Sequence, residues 1–174
     1  RNMEELNRER TKLDHHLVDL KQKVHQISGY TQGAKKGKLI FSGQTEFEGY
    51  YLNKYVIEQP GDNIIPFVAF VPKQTTRLSA LYLDNIADKK SDEAYTVPIH
   101  LVKKGVTVIV PDLPGFGELG PGYLKGDAYF ENTSYNQWFA GILNGKSTVS
   151  LHVEAIETLL LFCKEEMELN YNEI

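Results

Sequence analysis

An α/β fold is predicted, with a mixed, mostly parallel sheet that opens on an antiparallel hairpin and is flanked by helices. The first observation behind this is the block from 78 to 110. Two aliphatic runs, LSALYLDN at 78–85 and VTVIV at 106–110, flank one amphipathic stretch, SDEAYTVPIHLVKKG at 91–105. That is the pattern of a parallel strand–helix–strand unit whose strands are covered on both faces. The second is the pair of β-prone runs upstream, joined by Pro60-Gly61-Asp62-Asn63, which has the residue types of a tight turn. The third is size: 174 residues, 41% hydrophobic and 24% charged, suffice for one domain with a substantial core.

Taken in order, residues 3–28 read as one helix. Leu13, Leu17, Leu20, Val24 and Ile27 recur at alternating spacings of four and three, with Leu6 one heptad before Leu13. So narrow a stripe suits a coiled-coil seam, a helix lying across the domain or a helix linking it to an upstream one, and linking or packing is the favoured reading. Gly29–Gly37 breaks the helix and serves as linker. LIFSG (39–43), YYLNKYVIEQ (50–59) and IIPFVAFVP (64–72) follow as strands, and Pro66 favours an edge or strand-entry position for the last. The strand–helix–strand block comes next. After Gly120, PGYLKGDAYFENTS reads as a long loop over the sheet. A final helix carries Val149, Val153, Ile156, Leu159, Leu160 and Cys163 at helical period, and Glu165, Glu166 and Glu168 end it in solvent. No repeat or low-complexity tract is present. Two regions are expected: a helix and linker at 1–37, and the α/β part at 38–174.

Composition narrows the function classes. A net charge of −4 argues against a nucleic-acid binder that works by phosphate neutralisation, and the Lys35-Lys36-Gly37-Lys38 cluster reads as a solvated linker. Cys163, alone and set among Leu159, Leu160, Leu161 and Phe162, reads as a core residue, and intrachain disulfides are excluded. No apolar stretch approaches the roughly 18 residues of a membrane span. His15, His16 and His25 lack partners at metal-ligand spacing, so they read as surface histidines, and neither metal nor cofactor is expected. A start at Arg1 inside a charged segment suggests a piece of something longer.

Two runs imitate nucleotide motifs. Gly115-Phe116-Gly117-Glu118-Leu119-Gly120 spells G-x-G-x-x-G, but a dinucleotide site needs those glycines between a strand and a helix N-terminus. Here two prolines separate the run from Val110, and Pro121-Gly122 stand where the helix should begin. Ala140-Gly141-Ile142-Leu143-Asn144-Gly145-Lys146-Ser147 fits a permissive phosphate loop, with Lys146 and Ser147 as the phosphate and magnesium contacts. It is the weaker alternative, because SYNQWFA before it is a poor buried strand and Ile142 and Leu143 are apolar where a phosphate cradle is small and polar.

From about Tyr50 to Cys163 the chain resembles the first half of an α/β-hydrolase, most similar to the acetyl-xylan-esterase-like branch of bacterial esterases. The resemblance rests on YYLNKYVIEQPGDNIIPFVAFVPK, ALYLDN, HLVKKG and VTVIVPDLPGFGELG. In that family a strand of the last kind is followed by a Pro-Asp-x-x-Gly-x-Gly turn, matched by Pro111, Asp112, Gly115 and Gly117. SYNQWFAGILNGKSTVSLHVEAIETLLLFCK resembles the family's next helical stretch, where a Gly-Lys/Arg-Ser occurs without nucleotide chemistry. The resemblance implies that the loop after ALYLDN supplies a backbone amide to an oxyanion hole, and Asn85 is the matching position. Asp112 is expected to fix its own turn by bonding backbone amides rather than to catalyse.

The resemblance further implies a serine nucleophile, an acid and a histidine base, in that order and without a metal. Ser28, Ser42, Ser79, Ser91, Ser134, Ser147 and Ser150 all lack a G-x-S-x-G setting, and His100 and His152 precede the position of the nucleophile. No catalytic side chain is therefore expected in this chain. The expectation is a segment of a serine-dependent carboxylic-ester hydrolase, inactive by itself and cut before the nucleophile strand. The parent would act on an ester, such as an acetyl group on a carbohydrate; its compartment is left open by the sequence, the periplasm and the outside of the cell being the candidates. Without the next strand, the one at 80–84 would form an open sheet edge, so self-association is expected. The alternative of another class is a non-catalytic α/β module whose helix at 3–28 binds a partner.

Overall fold

In the computed structural model, which describes residues 2–31, 37–61, 63–83, 95–120, 128–130 and 133–167, the β-prone runs form one five-stranded sheet. Its strands are β1 (Lys38–Phe47), β2 (Tyr50–Gln59), β3 (Asn63–Pro72), β4 (Ser79–Leu81) and β5 (Thr107–Pro111), in the order β1-β2-β3-β5-β4. β1, β2, β3 and β5 are successive antiparallel neighbours, and β4 runs parallel to β5. Helices α1 (Met3–Ser28), α2 (Thr96–Lys103), α3 (Tyr135–Leu143) and α4 (Thr148–Glu165) accompany it, with a small hairpin of β6 (Tyr129–Phe130) and β7 (Thr133–Ser134).

The mixed α/β sheet is present as expected, but its parallel share is smaller than the sequence implied. Among the described residues only β4 and β5 pair in parallel, because each parallel pair needs a long crossover and this stretch contains one. That crossover carries α2, as the amphipathic stretch predicted, and it begins on Thr96. Pro98 is tolerated because it falls in the first turn, where no intrahelical acceptor awaits its missing N–H.

Of the two positions expected for Pro66, the edge is excluded and an end of pairing is found. β3 is flanked on both sides, so this proline does not mark an edge strand. The Asp112 N–H donates to the Pro66 carbonyl at 2.8 Å, and Phe67 opposite Pro111 is the next pair inward. The missing donor thus falls at the last rung of the β3–β5 ladder, where it removes least.

Strand alternation divides the core in two. Ile57, Ile65, Phe67, Ala69 and Ile109 face α4, where they meet Ala155, Leu159, Phe162 and Cys163. Tyr50, Phe70, Val108 and Val110 face the other way and pack with Val102 of α2. Cys163 is fully buried, as its apolar setting suggested. The buried stripe of α4 differs from the one read off the sequence, since Val149 and Val153 are exposed while Ser150 and Thr158 are buried. Both polar residues are satisfied within the helix. The Ser150 hydroxyl donates to the Ser147 carbonyl at 2.7 Å and that of Thr158 to the Glu154 carbonyl at 2.9 Å.

The segment expected to be one long loop after Gly120 includes the β6–β7 hairpin, and α3 starts at Tyr135 immediately after it. Ser134 caps α3 by accepting from the Gln137 N–H at 3.1 Å. The described side chains of α1 are exposed up to Ile27, and the helix joins the rest through its end. There Gly29 adopts φ 70, and a Cβ at this position would lie 1.7 Å from the Gly145 carbonyl oxygen. The Ser147 N–H donates to the Ser28 carbonyl at 2.8 Å, the Thr31 N–H to Glu154 at 2.9 Å, and the Tyr30 hydroxyl to Glu157.

Candidate functional site

In an open α/β sheet with parallel strands, chemistry gathers beyond the carboxyl ends of those strands. Here that rim is formed by Tyr82 after β4 and by the turn from Asp112 to Gly120 after β5. Tyr82 extends the parallel ladder by donating its N–H to the Ile109 carbonyl at 2.9 Å.

The turn is held by its own backbone and by one carboxylate. The Phe116 N–H donates to the Leu113 carbonyl at 2.8 Å, Gly115 N–H to that of Leu119 at 3.1 Å, and Gly120 N–H to that of Gly117 at 3.1 Å. Asp112 is buried, and its Oδ2 accepts from the Glu118 N–H at 3.1 Å. This is the turn-fixing role expected of it. Gly117 has φ 58, and a Cβ there would lie 2.0 Å from Asp112 Oδ1, so the carboxylate occupies the space that only glycine leaves open.

Two further side chains close around this turn, and its charge reaches a third. His152 of α4 donates through Nε2 to the Pro114 carbonyl at 2.7 Å, and its ring lies 5.5 Å from that of Phe116. Gln137 of α3 lies against Gly115, where a Cβ would come within 2.5 Å of its Oε1. Tyr95, at the entry to α2, packs on Phe70, with ring centroids 5.5 Å apart. Partial burial, followed by the negative charges of Asp112 and Glu118, holds its phenol above the ordinary tyrosine range. The three come from segments far apart in sequence. In the sequence, His152 is marked only by its place before the nucleophile position. Gln137 and Tyr95 carried no local signal, because their role arises from α3 and α2 folding back over the rim.

Asn85 and Ser91 lie outside the described residues, as do the last residues of the apolar run at 78–85, the first of the stretch at 91–105, and Lys35 and Lys36 of the lysine cluster. The serine hydroxyls at helix ends are engaged with backbone. Those of Ser134 and Ser147 accept from Gln137 N–H and Ser150 N–H, while those of Ser28 and Ser150 donate to carbonyls. His100 lies on α2. Among the described residues, no group of three or more His, Cys, Asp or Glu stands together, and no helix is long and apolar enough to cross a membrane.

The glycine run 115–120 forms turns and one 3-10 turn rather than opening an α-helix, so it lacks the geometry that faces a pyrophosphate. The phosphate-loop alternative at Ala140–Ser147 is corrected by the element that precedes it. Residues up to Leu143 are helix α3, not a buried strand, and a four-residue turn leads into α4. Lys146 is ion-paired with Glu154, and its amine also donates to Thr31 Oγ1 at 3.3 Å. Ser147 is the N-cap of α4. The two residues that would meet phosphate and magnesium are thus engaged in joining the end of α1 to α4, Lys146 through its amine and Ser147 through its backbone N–H. Millimolar magnesium-ATP is accordingly expected to leave the melting temperature of the wild-type chain unchanged in differential scanning fluorimetry. A stabilisation that Lys146→Ala abolishes would restore the nucleotide reading.

No family model and no curated protein matches the chain. Among solved structures it is similar to a candidate acetyl xylan esterase from Bacteroides fragilis, at 17% identity and a TM-score of 0.66, over 88% of this chain and 43% of that one. It also resembles a cold-adapted esterase from an Arctic intertidal metagenomic library, at 20% identity and a TM-score of 0.49, over 73% of this chain and 51% of that one. The first likeness establishes an esterase-like α/β fold. The chain spans less than half the length of that neighbour.

Proposed function

We propose that this chain is a segment of a serine-dependent carboxylic-ester hydrolase of α/β-hydrolase type and is inactive alone. The substrate class proposed for the whole protein is an acetylated carbohydrate. The observation that carries the reading is the strand order β3-β5-β4, with β4 parallel to β5, α2 in the crossover and β4 outermost among the described strands. In this architecture the outermost parallel strand is the neighbour of the strand that bears the nucleophile, and the G-x-S-x-G elbow follows that strand. The fold shared with the Bacteroides fragilis neighbour and the Asp112–Gly117 turn support the same reading.

Each residue then has a defined task. The serine of the following segment attacks the ester carbonyl, a histidine later in the chain takes its proton, and backbone amides stabilise the oxyanion. The Asn85 amide is proposed as one of those donors. Asp112 accepts no proton from substrate; it holds the turn that borders the rim.

The test is a longer chain. The reading frame beyond Ile174 is expected to encode a strand followed by G-x-S-x-G, and the extended protein is expected to hydrolyse p-nitrophenyl acetate while the chain of 174 residues stays at the uncatalysed rate. Replacing that serine by alanine should abolish the activity. A reading frame without the motif, or an extended protein without hydrolysis, would overturn the proposal in favour of the non-catalytic interaction module, the reading to which the exposed stripe of α1 lends support.

A further inference from the structure

α1 presents an apolar seam that no described part of the chain covers. Leu6, Leu13, Leu20 and Ile27 recur every seven residues, as do Met3, Arg10, Leu17 and Val24. In heptad terms the first set takes the d positions and the second the a positions. All seven apolar members are exposed, from 37% at Leu6 to 85% at Ile27. A helix of this length that buries nothing is marginal in water, because propagation barely outweighs nucleation without packing.

We infer that α1 is the pairing surface for a second copy of this chain, joined as an antiparallel two-stranded coiled coil. Charge complementarity selects the occupant and the direction. Glu9 and Lys23 both take g positions. When two copies run antiparallel with their centres aligned near residue 15, Glu9 of each meets Lys23 of the other. Lys23 is also bonded to Asp19 of its own helix at 2.7 Å, so the second copy adds a second carboxylate to the same ammonium. A parallel pairing offers no opposite-charge pair between the g and e positions and sets His16 against Lys21. In the antiparallel register, Asp14 and His16 each meet their own mate near the dyad, the opposing term in this arrangement.

The same register fills the seam over its whole length. Met3 lies opposite Ile27, Leu6 opposite Val24 and Leu13 opposite Leu17. Arg10 falls opposite Leu20, where its long stem covers apolar surface while the guanidinium reaches water, and a single polar a residue of this kind fixes register. The proposal thus places self-association at α1, where the sequence expectation placed it at the sheet edge. Because the end of α1 is bonded to α4, the antiparallel pair holds the two α/β parts at opposite ends of a rod roughly 39 Å long.

The full chain is expected to sediment as a dimer at tens of micromolar. Leu13→Glu with Leu17→Glu should raise the dissociation constant roughly a hundredfold or more, because two leucines of the seam are lost from each copy. The melting of the α/β part should be unchanged, since both leucines are exposed. Variants with one added cysteine report direction, since the native Cys163 is fully buried. Met3→Cys mixed with Ile27→Cys should give a disulfide-linked dimer on oxidation that neither gives alone. A monomer at 100 µM, a dimer that persists in the Leu13→Glu, Leu17→Glu variant, or efficient crosslinking of Met3→Cys to itself would each overturn the inference.

Discussion

Ile109→Ala is expected to cost about 2–5 kcal/mol of folding stability, the range for removing a large aliphatic side chain from a core that cannot collapse. Ile109 is fully buried on β5, a strand paired on both sides, and it points into the cluster formed with Ile57, Phe67, Leu159 and Phe162. Backbone bonding to β3 and β4 prevents β5 from moving inward to fill the space, so the cavity term adds to the lost transfer energy. For a domain of this size the melting temperature should fall by roughly 5–15 °C. Urea denaturation should show a lower midpoint with an unchanged slope. Val153→Ala on the exposed side of α4 should stay within about 0.5 kcal/mol and serves as control. A loss below 1 kcal/mol for Ile109→Ala would mean that α4 is not seated on this face of the sheet.

Gly117→Ala is expected to cost about 3 kcal/mol, from a left-handed backbone forced on alanine and from displacement of the Asp112 carboxylate. The added methyl group would stand 2.0 Å from Asp112 Oδ1. Avoiding that clash requires the carboxylate to move off the Glu118 N–H, so a charge-assisted bond in a buried setting is lost. The two contributions can be separated by a double-mutant cycle. In an Asp112→Ala background, Gly117→Ala should cost only the backbone part, clearly less than in the wild type. Equal costs in the two backgrounds would show that the carboxylate does not occupy that space. Asp112→Asn should be milder than Asp112→Ala, because the amide oxygen can still accept from Glu118 N–H.

The strand–helix–strand block was readable because strands covered on both faces must be continuously apolar and because Val106–Val110 is rich in β-branched residues. The turn role of Asp112 was readable from its place between a strand and two glycines. β1 was read only as far as Gly43, because its second half is an exposed edge with no alternation to detect. The helical stripe of α4 was misassigned because Ser150 and Thr158 satisfy their hydroxyls within the helix and can be buried, while Val149 and Val153 are not covered. At the rim, His152, Gln137 and Tyr95 were beyond reading: nothing near them in the chain records which loop they will meet.

The placement of β5 between β3 and β4 has a consequence for the chain as it is made. The β1–β2–β3 meander can close as soon as Pro72 is available, but the neighbour that covers the far side of β3 ends about forty residues later, at Pro111. At the usual pace of translation that interval is roughly 2–8 s. Throughout it, Phe67, Ala69 and Phe70 belong to a border of the nascent sheet rather than its interior. The hazard for this protein during biosynthesis thus lies on a strand that the finished molecule hides.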